Sequence, residues 1–143
     1  MIIQQLSVFL ENRSGRLTEV TEALASHHIN ITAQCLAEAS DFGVLRMVVS
    51  DPDRARKVLS ERGFSVTLTD VLCLTTPNVP GALHRALKIL SDRGISIDYM
   101  YAFALGVGEK ALVVLRTSDI AASVSALLEQ KQTLLSASDM YSF

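Results

Sequence analysis

The sequence predicts an α+β fold built twice: two βαββαβ modules in tandem, over residues 1–69 and 70–143, with antiparallel sheets and helices on one face. Three observations lead there. The chain repeats itself at an offset of 66 residues, so that Asn12, Gly15, Leu17, Leu24, Ile29 and Ile31 return as Asn78, Gly81, Leu83, Leu90, Ile95 and Ile97. Self-similarity at such a period marks a duplicated structural unit. Within each copy, runs with strand character and runs with helical spacing follow one another in the same order. Finally, 143 residues halve into units of about 70. A unit of that size buries only about 60% of its unfolded surface, so the halves are expected to be fused across a shared interface.

In the first copy, residues 4–10 form a short β-rich run that ends at a polar turn. Leu17, Val20 and Leu24 then recur at helical spacing, which predicts a helix over 16–27 with Ser14 as its candidate N-cap. His28 stands where that helix should end in a left-handed residue, a role histidine tolerates; its counterpart is Gly94. Ile29, Ile31, Ala33 and Cys35 alternate with Asn30, Thr32 and Gln34, the pattern of a half-buried strand. Asp41-Phe42-Gly43 breaks it, and 44–49 returns as a second strand. Asp51-Pro52 is a strong helix start, an acceptor at the N-cap with proline at the first helical position. Ala55, Val58 and Leu59 give that helix its buried side, Gly63 ends it, and 64–68 supplies the last strand. The order is the ferredoxin-like split βαβ arrangement.

The second copy repeats it. Residues 71–76 read as a strand and 81–93 as a helix with Leu83, Ala86, Leu87 and Leu90 inward. Residues 95–104 and 111–116 form a hairpin around Gly106 and Gly108, which lack the third glycine and the strand-to-helix context of a dinucleotide loop. A helix near 119–131, with Ile120, Val124, Leu127 and Leu128 inward, leads to a last strand over 134–139. From 64 to 76 the sequence is nearly continuous strand with no flexible linker, so a rigid tandem is expected. Helices cover one sheet face in this fold, and a solvated second face should look polar. Instead both alternating sets of 44–49 are mainly apolar, and Tyr99, Tyr101 and Phe103 stand opposite Met100, Ala102 and Ala104. A second chain is expected to cover that face, making a homodimer.

Composition narrows the function. Apolar residues are 49% of the chain and its mean hydropathy is +0.31. No apolar run approaches the roughly 18 residues of a membrane span, and no basic-then-apolar signal segment opens the chain. A cytoplasmic protein without a membrane partner is expected. Thirteen basic residues are scattered among fifteen acidic ones for a net charge of −2, so no stripe is set up for nucleic acid. Cys35 and Cys73 sit in apolar strands without partner spacing and read as reduced core residues. His27, His28 and His84 fall on or beside helices, and no nucleophile or carboxylate joins them in a triad or metal site. Neither an enzyme nor a cofactor is expected. Paired cysteines for a metal chaperone and central-strand aromatics for an RNA-recognition motif are also missing from the sequence.

The two turns at 12–17 and 78–83 carry the functional signal. Each precedes a helix start, where amides without intrahelical partners and the helix dipole suit a carboxylate. Gly15 and Gly81 let a ligand approach the backbone closely. An ammonium needs acceptors, which the strand carbonyls of Asn30-Ile31 and Ser96-Ile97, or the side chains of Asn12, Asn30, Asn78 and Asp98, can supply. Arg13 can add a charge-assisted contact. The candidate ligand-binding set is Asn12, Arg13, Ser14, Gly15, Arg16, Leu17, Asn30 and Ile31, with Asn78, Val79, Pro80, Gly81, Ala82, Leu83, Ser96, Ile97 and Asp98 in the second copy. Plainer readings stand beside each. The glycines only shape turns, the asparagines bond their own turns, Arg13 and Arg16 are solvated surface charges, and Asp98 is an exposed strand residue. Tyr99 and Tyr101 read as packing or dimer contacts.

A glycine turn before the first helix and an Ile-Asn-Ile strand start, inside this order of elements, resemble the ACT domain. That family's turn often reads Asp-Arg-Pro-Gly, then a variable residue and Leu, and its second strand often begins Gly-Ile-Asn-Ile. Here Asn12-Arg13-Ser14-Gly15 keeps the arginine and glycine, whereas Asn78-Val79-Pro80-Gly81 keeps Pro-Gly; Asn30 is retained and Ser96 replaces it in the second copy. The resemblance spans about residues 4–74 and 70–141 and implies a tandem of ACT domains. It implies a regulatory module that binds an amino acid or similar metabolite at domain interfaces, with two unequal sites. It also implies an alternative, a regulatory subunit that docks on a separate amino-acid biosynthetic enzyme.

Overall fold

Each helix start in this chain follows a strand end by only a few residues, and that spacing sets the architecture. The computed structural model describes residues 1–38, 40–104 and 110–143. Its elements are β1 (Ile3–Glu11), α1 (Arg16–Ser26), β2 (Ile31–Glu38), β3 (Phe42–Val49), α2 (Pro52–Glu61) and β4 (Ser65–Pro77), then α3 (Ala82–Ser91), β5 (Ile97–Ala104), β6 (Lys110–Thr117), α4 (Ile120–Glu129), β7 (Thr133–Leu134) and α5 (Ala137–Tyr141). The order βαββαβ occurs twice, with β4 ending the first set and opening the second. Two compact units result. Gln4–Thr69 with Ser138–Phe143 make the N-terminal module, and Asp70–Ala137 with Met1–Ile3 make the C-terminal module.

In the N-terminal module the strands lie in the order β2-β3-β1-β4. β3 runs antiparallel to both neighbours, with Leu10 and Glu38 opposite Gly43 at one end, and Leu6 opposite Met47 and Ile31 opposite Val49 towards the other. Period-two residues Leu6, Val8 and Leu10 of β1 and Leu45, Met47 and Val49 of β3 meet Val20 and Leu24 of α1 and Val58 and Leu59 of α2 in one core. In the C-terminal module the order is β7-β4-β6-β5. Leu72, Leu74, Val113 and Leu115 of its sheet pack on Ala86, Leu90, Ala126 and Leu127 of its helices. The ferredoxin-like α+β expectation is met in both modules.

Several local expectations are revised. Ser14 is not the N-cap; Gly15 occupies that position in the left-handed region (φ 92°), and no side chain caps α1. Only a residue free of Cβ strain turns the chain that sharply between Glu11 and Arg16. Phe42 and Gly43 do not break the strand but begin β3, because they pair with Glu11 and Leu10 of β1. Leu128 is 43% exposed rather than inward, since its neighbour Leu127 already takes the core side of α4. The strand over 134–139 shrinks to β7, and 137–141 wind into α5. Ser136, Ser138 and Asp139 are poor strand formers, and one helical turn buries Met140 completely. The Gly106–Gly108 turn lies outside the described residues.

Part of the apolar second sheet face is buried within one chain. Ala33 and Val48, and likewise Val71, Cys73, Leu112 and Val114, are buried without any second copy, whereas Phe9 and Phe42 on it are 45% and 43% exposed. Residues 138–143 are tied to the N-terminal module. The Gln4 N–H donates to the Tyr141 hydroxyl at 2.8 Å, and the Asn30 amide donates to the Phe143 carbonyl at 3.0 Å.

Both modules close both helices with a left-handed residue: His28 (φ 57°) and Gly63 (φ 87°) in one, Gly94 (φ 69°) and Lys131 (φ 56°) in the other. His28→Gly and Lys131→Gly should each raise the unfolding free energy by about 1 kcal/mol, the strain a Cβ carries there. Urea titration checks this, and a loss of stability in both variants would refute it. A second expectation concerns Cys73. Burial pushes its thiol from 9.0 up to about 12, against a smaller lowering by its backbone bond to Val113. A folded-state value above the unfolded one favours the fold fully below pH 9 and less as pH climbs towards 12. Urea midpoints should fall more steeply between pH 9 and 11 in the wild type than in Cys73→Ala.

Candidate functional site

The turn that leaves β1 is tied to itself. The Arg13 N–H donates to Glu11 O at 2.8 Å, the Arg16 N–H to Arg13 O at 3.5 Å, and the Glu19 N–H to Gly15 O at 2.9 Å. The first-turn amides of Leu17 and Thr18 have no acceptor among the described residues. A Cβ at Gly15 would meet nothing within 4 Å, so its backbone angle, not space, requires glycine.

Between this turn and the paired ends of β2 and β3 lies a groove of about 460 Å³. Asn12, Arg13, Arg16 and Leu17 line one side, Leu36, Ala37, Glu38, Phe42 and Gly43 the other, and Leu10 and Glu11 lie between. Gly43 keeps it open, since a Cβ there would sit 3.2 Å from a Leu36 methyl and 3.4 Å from Ala37 O. The two arginines differ. Arg13 is well exposed and pairs with Glu11 at 2.9 Å, a contact worth little in water. The Arg16 side chain is only 14% exposed, so the surface-charge reading fails for it. Its guanidinium carbon lies 4.2 Å over the Phe64 ring and its Nη1 pairs with Glu19 at 2.6 Å, while its Nε is buried without an acceptor. Glu38 has no hydrogen-bond or ion-pair partner among the described residues.

The second copy builds the same turn with other chemistry. Gly81 (φ 82°) accepts the Arg85 N–H at 3.1 Å, and the Ala82 N–H donates to Val79 O at 3.2 Å. Ala82 stands where Arg16 stands in the first copy, and Val79 where Arg13 does. Beside it is a smaller hollow of about 250 Å³ lined by Thr75, Thr76, Pro77, Ala82, Arg85, Lys131, Gln132 and Thr133. Asn78, Val79, Pro80, Gly81 and Leu83 do not line it.

The remaining candidates lie elsewhere. Ile31 opposite Val49 and Glu38 opposite Gly43 put Asn30 and Ile31 at the far end of β2 from the 12–17 turn, roughly 23 Å away at strand rise. Ile97 opposite Thr117 and Pro77 opposite Lys110 separate Ser96, Ile97 and Asp98 from the 78–83 turn in the same way. Ser96 and Ile97 line a third, open groove with His84, Leu87, Lys88, Ser91 and Ile95. Two serines missed in the sequence hold these strand starts. The Asn30 N–H donates to Ser50 Oγ at 3.0 Å and the Ser50 N–H returns to Asn30 O at 3.0 Å. Ser96 and Ser118 repeat the pair at 3.1 and 3.0 Å. The Asn30 and Ser96 carbonyls considered for an ammonium thus already accept a bond. Asp98 faces Arg116 at 3.7 Å. The readable signal was Ser50-Asp51 and Ser118-Asp119, a Ser-Asp pair before a helix in both copies; each aspartate caps its helix, accepting from the Arg54 and Ala122 amides.

Two βαββαβ modules, each with a left-handed glycine at the head of its first helix and a hollow beside it, define a tandem of ferredoxin-like folds. The chain belongs to the ACT domain pair family, whose model matches residues 1–143. The crystal structure of protein BT0572 from Bacteroides thetaiotaomicron is similar at 52% identity, covering 100% of this chain and 98% of that one, with a TM-score of 0.96. The fold is also that of the ligand-free regulatory subunit of aspartate kinase from Thermus thermophilus, at 14% identity over 88% of this chain and 91% of that one, TM-score 0.66. The corresponding subunit from Thermus flavus aligns at 16% identity over 90% and 94%, TM-score 0.61. No curated protein matches significantly. No helix of the described residues is long and apolar enough to cross a membrane.

Asn30 is committed to the 138–143 segment, and that bond is testable. Asn30→Ala should speed hydrogen exchange in residues 138–143 while leaving α2 protected as in the wild type. Unchanged exchange would show that the amide does not hold the segment.

Proposed function

We propose that this protein is a non-enzymatic regulator that binds an amino acid in the groove beside its first helix start. The observation that carries the reading is the pairing of unlike charges around that groove. Arg13 and Arg16 stand at the side of the unpartnered Leu17 and Thr18 amides, and Glu38 stands across from them. A zwitterion has the same layout, a carboxylate and an ammonium on one carbon, and charge-assisted bonds of this kind orient as well as hold. Membership of a family of ligand-binding regulatory domains supports it. So does the absence of any triad spacing in the sequence. The candidate set contracts accordingly to Asn12, Arg13, Gly15, Arg16 and Leu17, joined by Glu38 and Gly43.

A second reading is a regulatory subunit that docks on a separate biosynthetic enzyme. It is favoured by one feature, the exposed Phe9 and Phe42 rings, whose centroids lie 5.9 Å apart. An aromatic pair left in water is a common mark of an interaction surface.

Calorimetry and thermal shift of the full chain against the twenty amino acids separate the two. A ligand that binds the folded state at a hundred times its Kd should add about 2.7 kcal/mol of stability, a shift well above noise. Silence from all twenty would sink the amino-acid reading and leave the docking one.

A further inference from the structure

Resting on the amino-acid reading above, the side-chain chemistry of the groove narrows the ligand. Its floor is apolar on both sides. Leu17 is 39% exposed, Leu36 51% and Phe42 43%, and all three line one hollow. A single exposed leucine means little, but three large apolar residues meeting in one concavity leave surface that an apolar group would cover. The volume, about 460 Å³, falls within the usual range for a small-ligand site.

The polar groups at the rim are few, and a ligand backbone consumes them. The buried Arg16 Nε–H lacks an acceptor among the described residues, and a buried donor in that state calls for one. A ligand carboxylate can take it together with Arg13 and the first-turn amides. Glu38 is then the remaining unpaired charge for the ammonium. The one charge between the walls, Glu11, is already paired with Arg13 at 2.9 Å. A polar side chain would have to break that pair or shed its water against leucine and phenylalanine. In the second copy, Val79 and Ala82 replace both guanidiniums. The hollow there is lined by Arg85 and Lys131 but by no carboxylate, so the opposed charges that suit a zwitterion are missing.

We propose that the groove selects α-amino acids with a large apolar side chain, and that each chain binds one, in its N-terminal module. The test is calorimetry on the full chain with leucine, phenylalanine and methionine set against aspartate, lysine and glycine. The expected result is one site per chain for the apolar group and at least tenfold weaker binding for the others. Arg16→Gln should weaken leucine binding at least tenfold, and Leu36→Asp should do the same, the latter with the thermal midpoint of the free protein nearly unchanged because Leu36 is half in water. Aspartate, lysine or glycine binding as tightly as leucine would overturn the selectivity but keep the amino-acid reading. Two equal sites per chain would overturn the assignment to one module. No amino acid binding at all would remove both. If Leu36→Asp left leucine affinity intact and instead lowered the mass in light scattering, the apolar floor would belong to a chain–chain contact and the proposal would fall.

Discussion

Everything at the site depends on one backbone constraint, the reversal from strand to helix within four residues. β1 ends at Glu11 and α1 begins at Arg16, so the chain must turn back over its own sheet almost at once. A left-handed residue does this in one step, and only glycine adopts that region without steric cost. Gly15 and Gly81 both do so, at φ 92° and 82°. The same step leaves no room for a capping side chain, so the first-turn amides stay open. At α2 and α4 an aspartate bonds the first turn instead, and those helix starts are closed. Within one fold, the helix starts divide into capped structural ones and uncapped ones beside hollows.

Duplication preserved the backbone and released the side chains. Where geometry is demanded the copies agree: left-handed residues after both helices of each module, serines that bracket Asn30 and Ser96, and aspartate caps before α2 and α4. Where chemistry is demanded they part. Arg16 lies over Phe64 in one copy, and the matching positions hold Ala82 and Gln132 in the other. The arginine fills space that the alanine leaves as a hollow with Arg85 and Lys131 on its walls. The change from a long cation to a methyl thus opens a hollow beside the turn, and the charges on its walls are cations alone.

The fold was legible because its signals are local and periodic. Leu6, Val8 and Leu10 alternate, Val20 and Leu24 recur on one helix face, and Asp51-Pro52 announces a helix on its own. The site was legible only in part. The 12–17 turn could be recognised from a glycine at a fixed offset, but the far wall of its groove, Leu36 to Gly43, comes from strands brought there by register. Arg16 looked like a surface charge because nothing near it in sequence names Phe64, 48 positions on, as its stacking partner. The short β7 was misread because a polar run of serines carries little preference, and burial of Met140 decided its shape. Ser50 and Ser118 were overlooked for a different reason: a serine before an aspartate cap looks redundant until the strand it pins is in view.

Asn30 shows why motif residues and site residues are not the same set. The family's Ile-Asn-Ile pattern made it a candidate for ligand contact, yet its N–H, its carbonyl and its side-chain NH2 each have a partner within the N-terminal module. Its N–H and carbonyl exchange bonds with Ser50, and its amide reaches Phe143 from 113 positions away. A residue so engaged offers a ligand only what it first withdraws from the fold. The groove at the other end of β2 asks for less exchange. The Leu17 and Thr18 amides, the Arg16 Nε and the Glu38 carboxylate have no partner among the described residues, and only Arg13 would have to leave Glu11. Free-energy balance, not proximity in the motif, is what separates the two ends of the strand. It gives the strand start a part in structural closure and leaves donors open at the turn.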